Sequence, residues 1–96
     1  MAVELNIEQM AEDGDRYACT CLGRMHRHGR SLDQNYSTAV KWYRKAAEQG
    51  HADGQHNLGE MYYYGDGVDE NLSTAVEWFH KAAEQGHAYA QSMLGY

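Results

Sequence analysis

The chain has 96 residues, 43% of them apolar and 23% charged, with a net charge of -6 when histidines are neutral. That allows one modest core of ordinary globular composition and suggests neither a disordered nor a coiled-coil chain. The acidity is lopsided: residues 1–48 hold seven basic and seven acidic side chains, whereas 49–96 hold seven acidic ones against Lys81 alone. A phosphate backbone is gripped by clustered Lys and Arg, so nucleic acid is not the expected partner. No apolar run approaches the roughly 18 residues of a membrane span, and the acidic start MAVELNIEQMAEDG lacks the basic and apolar regions of a signal peptide. The expected location is therefore the cytoplasm, with no membrane contact. Cys19 and Cys21 are too few for a disulfide framework, which agrees with a reducing compartment.

In chain order, residues 1–14 carry Val3, Leu5, Ile7, Met10 and Ala11 at apolar positions and read as a degenerate helix. From there the chain repeats itself. Displaced by 36 positions, residues 11–60 overlay 47–96 without a gap and with 25 identities in 50 pairs. The divisions that follow are repeat one at 15–50, repeat two at 51–86 and a partial repeat three at 87–96, all within a single solenoid domain. Each period predicts two helices, seen best in repeat two as 51–64 and about 72–85. In the second of these, Ala75, Trp78, Phe79, Ala82 and Ala83 recur at three- and four-residue steps, the spacing of one helical face. Asn35 and Asn71 are placed to cap helix starts, and Gly50 and Gly86 to end helices in the left-handed conformation. The connecting turn, residues 65–70, has Val68 as its only apolar anchor. Trp42 and Trp78 are expected to wedge adjacent units together, and Gly23, Gly59 and Gly95 to mark helix crossings too close for a Cβ.

The recurring pattern A-x-x-W-[YF]-x-K-A-A-E-Q-G, then H-A, then L-G-x-M-Y, with G-x-G-V in the turn, resembles the Sel1-like repeat family, an α/α solenoid related to the tetratricopeptide repeats. The resemblance covers about 15–96. It implies an all-α fold: a right-handed superhelix of stacked helix-turn-helix units, here about two and a half, that scaffolds protein complexes without a catalytic site. Repeat one departs from the pattern in lacking the second turn glycine and in having His26 where Tyr62 stands.

Chemistry-bearing residues are few. Cys19 and Cys21 with His26 and His28 suggest a zinc site, but on a helix the pairs face opposite ways, and within each pair the axial separation is roughly 10 Å, too long for one metal. The expectation is a buried and a partly exposed thiol. No nucleophile–base set, phosphate loop or paired carboxylate stands out, so neither catalysis nor a cofactor or metal is expected. His51 and His87 occupy equivalent helix-start positions, a local role. On the first helix of repeat two, Gly54, Leu58 and Met61 share one face, while His56, Glu60 and Tyr63 point the other way with Asp53 beside them. Their equivalents are Thr20, Arg24 and Arg27 in repeat one, and Ser92 with Tyr96 in repeat three. The resemblance implies that first helices line the concave side. The expected binding surface is therefore Arg24, Arg27, His56, Glu60, Tyr63, Tyr64, Ser92 and Tyr96, grading from basic, His28 included, to acidic and aromatic.

The reading that results is a non-enzymatic protein–protein interaction adaptor or scaffold of bacterial type, holding a segment of another protein on its concave face. One alternative is a small bacterial inhibitor or immunity-type protein that neutralises one enzyme. Another is a structural element that self-assembles through open solenoid ends, where Trp78, Phe79 and Met93 are expected near an uncovered face and two copies form a homodimer.

Overall fold

A computed structural model describes residues 6–29 and 34–95. The expectations placed on Val3, Leu5, Tyr96 and the turn of repeat one fall outside these residues. Six helices follow one another, with no strand among the described residues: α1 (Ile7–Glu12), α2 (Arg16–His28), α3 (Tyr36–Glu48), α4 (Ala52–Tyr64), α5 (Leu72–Glu84) and α6 (Ala88–Met93). Two full hairpins, α2–α3 and α4–α5, stand between the short α1 and α6, which makes about two and a half units.

The ends of the helices explain their lengths. Asn35 and Asn71 cap α3 and α5, each accepting a 3.0 Å bond from the backbone N–H of Thr38 or Thr74, as their type and position predict. Asp15 does the same for α2, accepting from Tyr17 and Ala18. After α3 and α5 the chain turns at Gly50 and Gly86, with φ of 82° and 86°, a region that costs residues with a Cβ. The hairpin turns are closed by Asn35 N–H donating to His26 O at 2.8 Å and Asn71 N–H to Tyr62 O at 2.9 Å. Val68 packs half-buried against the α3–α4 core, as an anchor should.

Packing is organised around two rings. Tyr43 and Phe79, at equivalent positions, are fully buried and lie on Gly23 and Gly59. A Cβ on Gly23 would stand 2.5 Å from Tyr43 ring carbons, and one on Gly59 2.8 Å from the Phe79 ring and 3.2 Å from the Ala75 carbonyl oxygen. Gly54 has the same kind of constraint against α3, where a Cβ would meet that of Ala46 at 2.7 Å. Gly95 is different. It follows α6 with φ of 78°, and no described atom lies within 4 Å of where its Cβ would be. The tryptophans also differ from expectation. Trp42 and Trp78 touch the α1–α2 and α3–α4 cores but remain half-buried. Lys45 lies over the Trp42 ring at 5.3 Å and Lys81 over Trp78 at 4.7 Å. The indoles are shared between packing and cation–π contact, and the deepest wedges are the residues next to them.

One bond recurs in every unit. Cys19 Sγ, Gln55 Nε2 and Gln91 Nε2 occupy the same repeat position and donate to the carbonyls of Ala11, Ala47 and Ala83 at 3.4, 3.4 and 3.1 Å. Each ties the first helix of a unit to the helix before it. α2 packs directly on α4, whereas α3 and α5 have at most glancing contact. The stack is therefore tighter on the α2–α4 side, and it extends over 50 × 25 × 18 Å. Phe79 does not reach an open face, because α4 and α6 cover it. The exposed apolar side chains of α5 are Leu72 and Val76. Val76 is 43% exposed, while its equivalent Val40, covered by the next hairpin, is 6% exposed.

Gly59→Ala separates packing from propensity. Helix propensity alone favours alanine by about 1 kcal/mol, whereas forcing a methyl against the Phe79 ring costs about 1–3 kcal/mol. Urea unfolding followed by circular dichroism is expected to show a net loss of stability with the native helical signal retained.

Candidate functional site

The inner face is formed by α2, α4 and α6, whose side chains arrive in rows set by the repeat: Tyr17, Asp53 and Tyr89; Thr20, His56 and Ser92; Cys21, Asn57 and Met93; Arg24 and Glu60; Arg27 and Tyr63. Gly54, Leu58 and Met61 face the core, as the spacing predicts.

The structure distributes the expected binding residues unevenly. Arg24 is exposed, and so are Tyr63 and Tyr64, whose rings meet edge to face at 4.9 Å. Ser92 is exposed on α6. Arg27 is only half-exposed and bonded to Glu60 across the α2–α4 joint, Nη1 to Oε1 at 3.0 Å. Burial works against the Arg27 charge, but the Glu60 carboxylate outweighs it and pushes the guanidinium pKa up. The expected gradient from basic α2 to acidic α4 is therefore cancelled in part by the pairing of its own two ends. His56 is buried, not presented to solvent. Its ring lies among Phe79, His87 and Tyr89, stacked on His87 at 4.6 Å, with Nε2 3.5 Å from Glu60. Its Nδ1 is buried with no hydrogen-bond partner among the described residues.

His87 does more than start a helix. Its Nδ1 accepts the backbone N–H of Ala90 at 3.2 Å, which places the ring proton on Nε2. Nε2 then donates to Asp53 Oδ1 at 2.8 Å and ties α6 to α4. His51 also starts its helix, without a side-chain cap, and meets Tyr17 edge to face at 5.0 Å. Beneath the Arg27–Glu60 pair lies the Tyr43 hydroxyl, buried without a well-formed hydrogen bond. Burial pushes its pKa up, and the nearby guanidinium pulls it back. Tyr89, Asn57 and Tyr17 are on this face although no motif drew attention to them. The signal was available, since Tyr17 and Tyr89 share a repeat position with Asp53.

A recess of about 290 Å³ opens between the three inner helices, lined by Arg24, Asp53, His56, Asn57, Glu60, His87 and Tyr89. Beside it, a second of about 390 Å³ is lined by Cys21, Arg24, Met25 and His28. Cys19 is buried, which pushes its thiol pKa up, and Cys21 is exposed; both are free thiols. Among the described residues no set of three or more His, Cys, Asp or Glu side chains is arranged to hold a metal ion. None of the described helices is long and apolar enough to cross a membrane.

Stacked helical hairpins define an α/α repeat protein. The sequence profile of the Sel1 repeat matches residues 16–51 and 52–87, and the chain belongs to the Sel1 repeat family. Sel1 repeat proteins are generally protein-interaction modules. No curated protein sequence gives a match. Solved structures do. A protective antigen of uropathogenic Escherichia coli with an SLR fold superposes with a TM-score of 0.91 at 40% identity, over 94% of this chain and 19% of that one. A Sel1 repeat protein from Oxalobacter formigenes gives 0.84 at 42% identity, over 88% and 35%. Helicobacter pylori cysteine rich protein B gives 0.84 at 29% identity, over 91% and 65%. The chain thus spans about a fifth to just under two-thirds of the length of these neighbours.

The buried imidazole carries a pH prediction. Burial pushes the His56 pKa below its usual 6.5, with the Glu60 charge opposing and the His87 side chain reinforcing. The unfolded chain therefore binds more protons than the folded one as pH falls through about 6.5. Stability from this group is complete above that value and is lost as pH falls toward the lower folded value. His51 is shifted in the same direction by burial. Thermal unfolding between pH 7.5 and 5 is expected to show a falling midpoint, and His56→Ser, which copies Ser92 of the next unit, a shallower fall.

Proposed function

We propose that this chain is a non-enzymatic adaptor whose two units, 15–50 and 51–86, framed by 1–14 and 87–96, hold a segment of another protein on the concave face formed by α2, α4 and α6. The observation that carries the reading is the contrast on that face. Tyr63, Tyr64 and Tyr89 are 41%, 55% and 74% exposed, while Arg27 is bonded to Glu60 and His87 to Asp53. Exposed tyrosines over a fixed polar floor offer large contact area at low ordering cost. The Sel1 repeat match and the solved Sel1 repeat neighbours support an interaction role. The free thiols Cys19 and Cys21 favour a reducing compartment, the cytoplasm, as the place of work. Tyr63→Ala and Tyr64→Ala are each expected to weaken partner binding roughly 30-fold, the scale of about 2 kcal/mol for an aromatic hot spot, with the helical signal unchanged. Arg27 is a poor probe of the same idea, because its replacement also breaks a half-buried ion pair. Binding unaffected by both tyrosine changes overturns the reading.

A second reading, self-association, is favoured by the exposed Leu72 and Val76 of α5. If it operates, light scattering gives a dimer or larger, and Val76→Asp converts it to monomer; a monomeric wild-type chain removes it.

A further inference from the structure

Resting on the reading of the inner face as a groove for a protein segment, we propose that Arg24 is a recognition site for an acidic side chain of that segment, with an apolar neighbour of the acid seated beside it. The argument begins with a census of charge around the recess. Of its charged groups, Glu60 is held by Arg27 at 3.0 Å, and Asp53 receives the Nε2–H of His87 at 2.8 Å. Arg24 has no ion pair or hydrogen bond among the described residues, yet it borders both adjoining recesses. The first offers polar walls of Asn57, His56, His87 and Tyr89. The second, beyond Arg24, offers Cys21, Met25 and His28, two of them apolar.

A guanidinium with no ion pair or hydrogen bond among the described residues, on a face where Glu60 and Asp53 each already hold a bond, is the feature that a carboxylate would complete, and such a bond is stronger than a neutral one. The helix that carries it has the right sign. α2, residues 16–28, contains Arg16, Arg24 and Arg27 and no acidic residue. The chain as a whole is acidic, but Asp66, Asp69 and Glu70 lie in the turn after α4. None of the three lines either recess. The acid comes from a side chain within the segment, not from a chain end. The face continues past Arg24 in both directions, toward Tyr17 on one side and toward Tyr63 and Tyr64 on the other, so a bound segment runs through. The occupant is thus an extended stretch in which Asp or Glu sits next to an apolar residue.

The experiment is selection of random peptides, displayed with both ends joined to other chain so that no terminal carboxylate is free, on the purified protein. A fluorescein-labelled peptide from the enriched pool is then titrated against variants. Enrichment of Asp or Glu beside an apolar residue is expected. Arg24→Gln is expected to weaken the labelled peptide about tenfold or more, the scale of one lost hydrogen bond to a charged group. Changing the peptide's acid to its amide has the same effect, and the two changes together cost no more than either alone. Tyr63→Ala weakens the peptide whether or not the acid is present. If Arg24→Gln leaves affinity unchanged while Tyr63→Ala reduces it, the groove stands and the acidic subsite is overturned. Enrichment of Lys or Arg in place of acid overturns the subsite as well. If no peptide is enriched, or none responds to either variant, the groove reading falls with it.

Discussion

The fold depends on an aromatic ring resting on a glycine, repeated once per hairpin. Burying a phenyl-sized side chain contributes about 1.5–3 kcal/mol, and a glycine inside a helix costs about 1 kcal/mol against alanine. Burial wins, provided the ring can reach the backbone. Gly23 and Gly59 make that possible for Tyr43 and Phe79, and a methyl at either would meet ring carbons within 2.8 Å. The close approach of α2 to α3 and of α4 to α5 follows from these contacts. The inner helices then come near enough for the Arg27–Glu60 and His87–Asp53 links to span from one unit to the next.

Most of the architecture was legible in the sequence because a repeat states each instruction more than once. Helix caps at Asn35 and Asn71, turn glycines at 50 and 86, and the core face of Gly54, Leu58 and Met61 all stand where spacing puts them. What was less legible concerns depth. Tyr43 and Trp42 are adjacent and both aromatic, and the pattern marks each as apolar. Only the crossing geometry decides that the phenol is buried and the indole is left under lysine ammonium groups.

The inner face was harder to read, for a physical reason. Periodicity assigns a direction to each side chain but not a partner, and partners decide which groups remain available. His56 was expected to face outward and instead lies beneath His87, because α6 closes over it. Arg27 and Glu60 were expected to mark opposite ends of a charge gradient, and they neutralise each other. What is accessible among the described residues is narrower than the sequence suggested: tyrosines at the ends of the helices, Ser92, and Arg24 between two recesses. The family shares the scaffold, and these side chains are the part in which one unit differs from the next.

The bond from Cys19, Gln55 and Gln91 to the alanine carbonyls has a mechanical consequence. Two of its three instances use a carboxamide, a firm donor, and the third uses a thiol, a weak one. The joint between α1 and α2 is therefore held by the softest rung of the ladder. An S-alkylated Cys19 has no proton left to donate and loses that rung altogether.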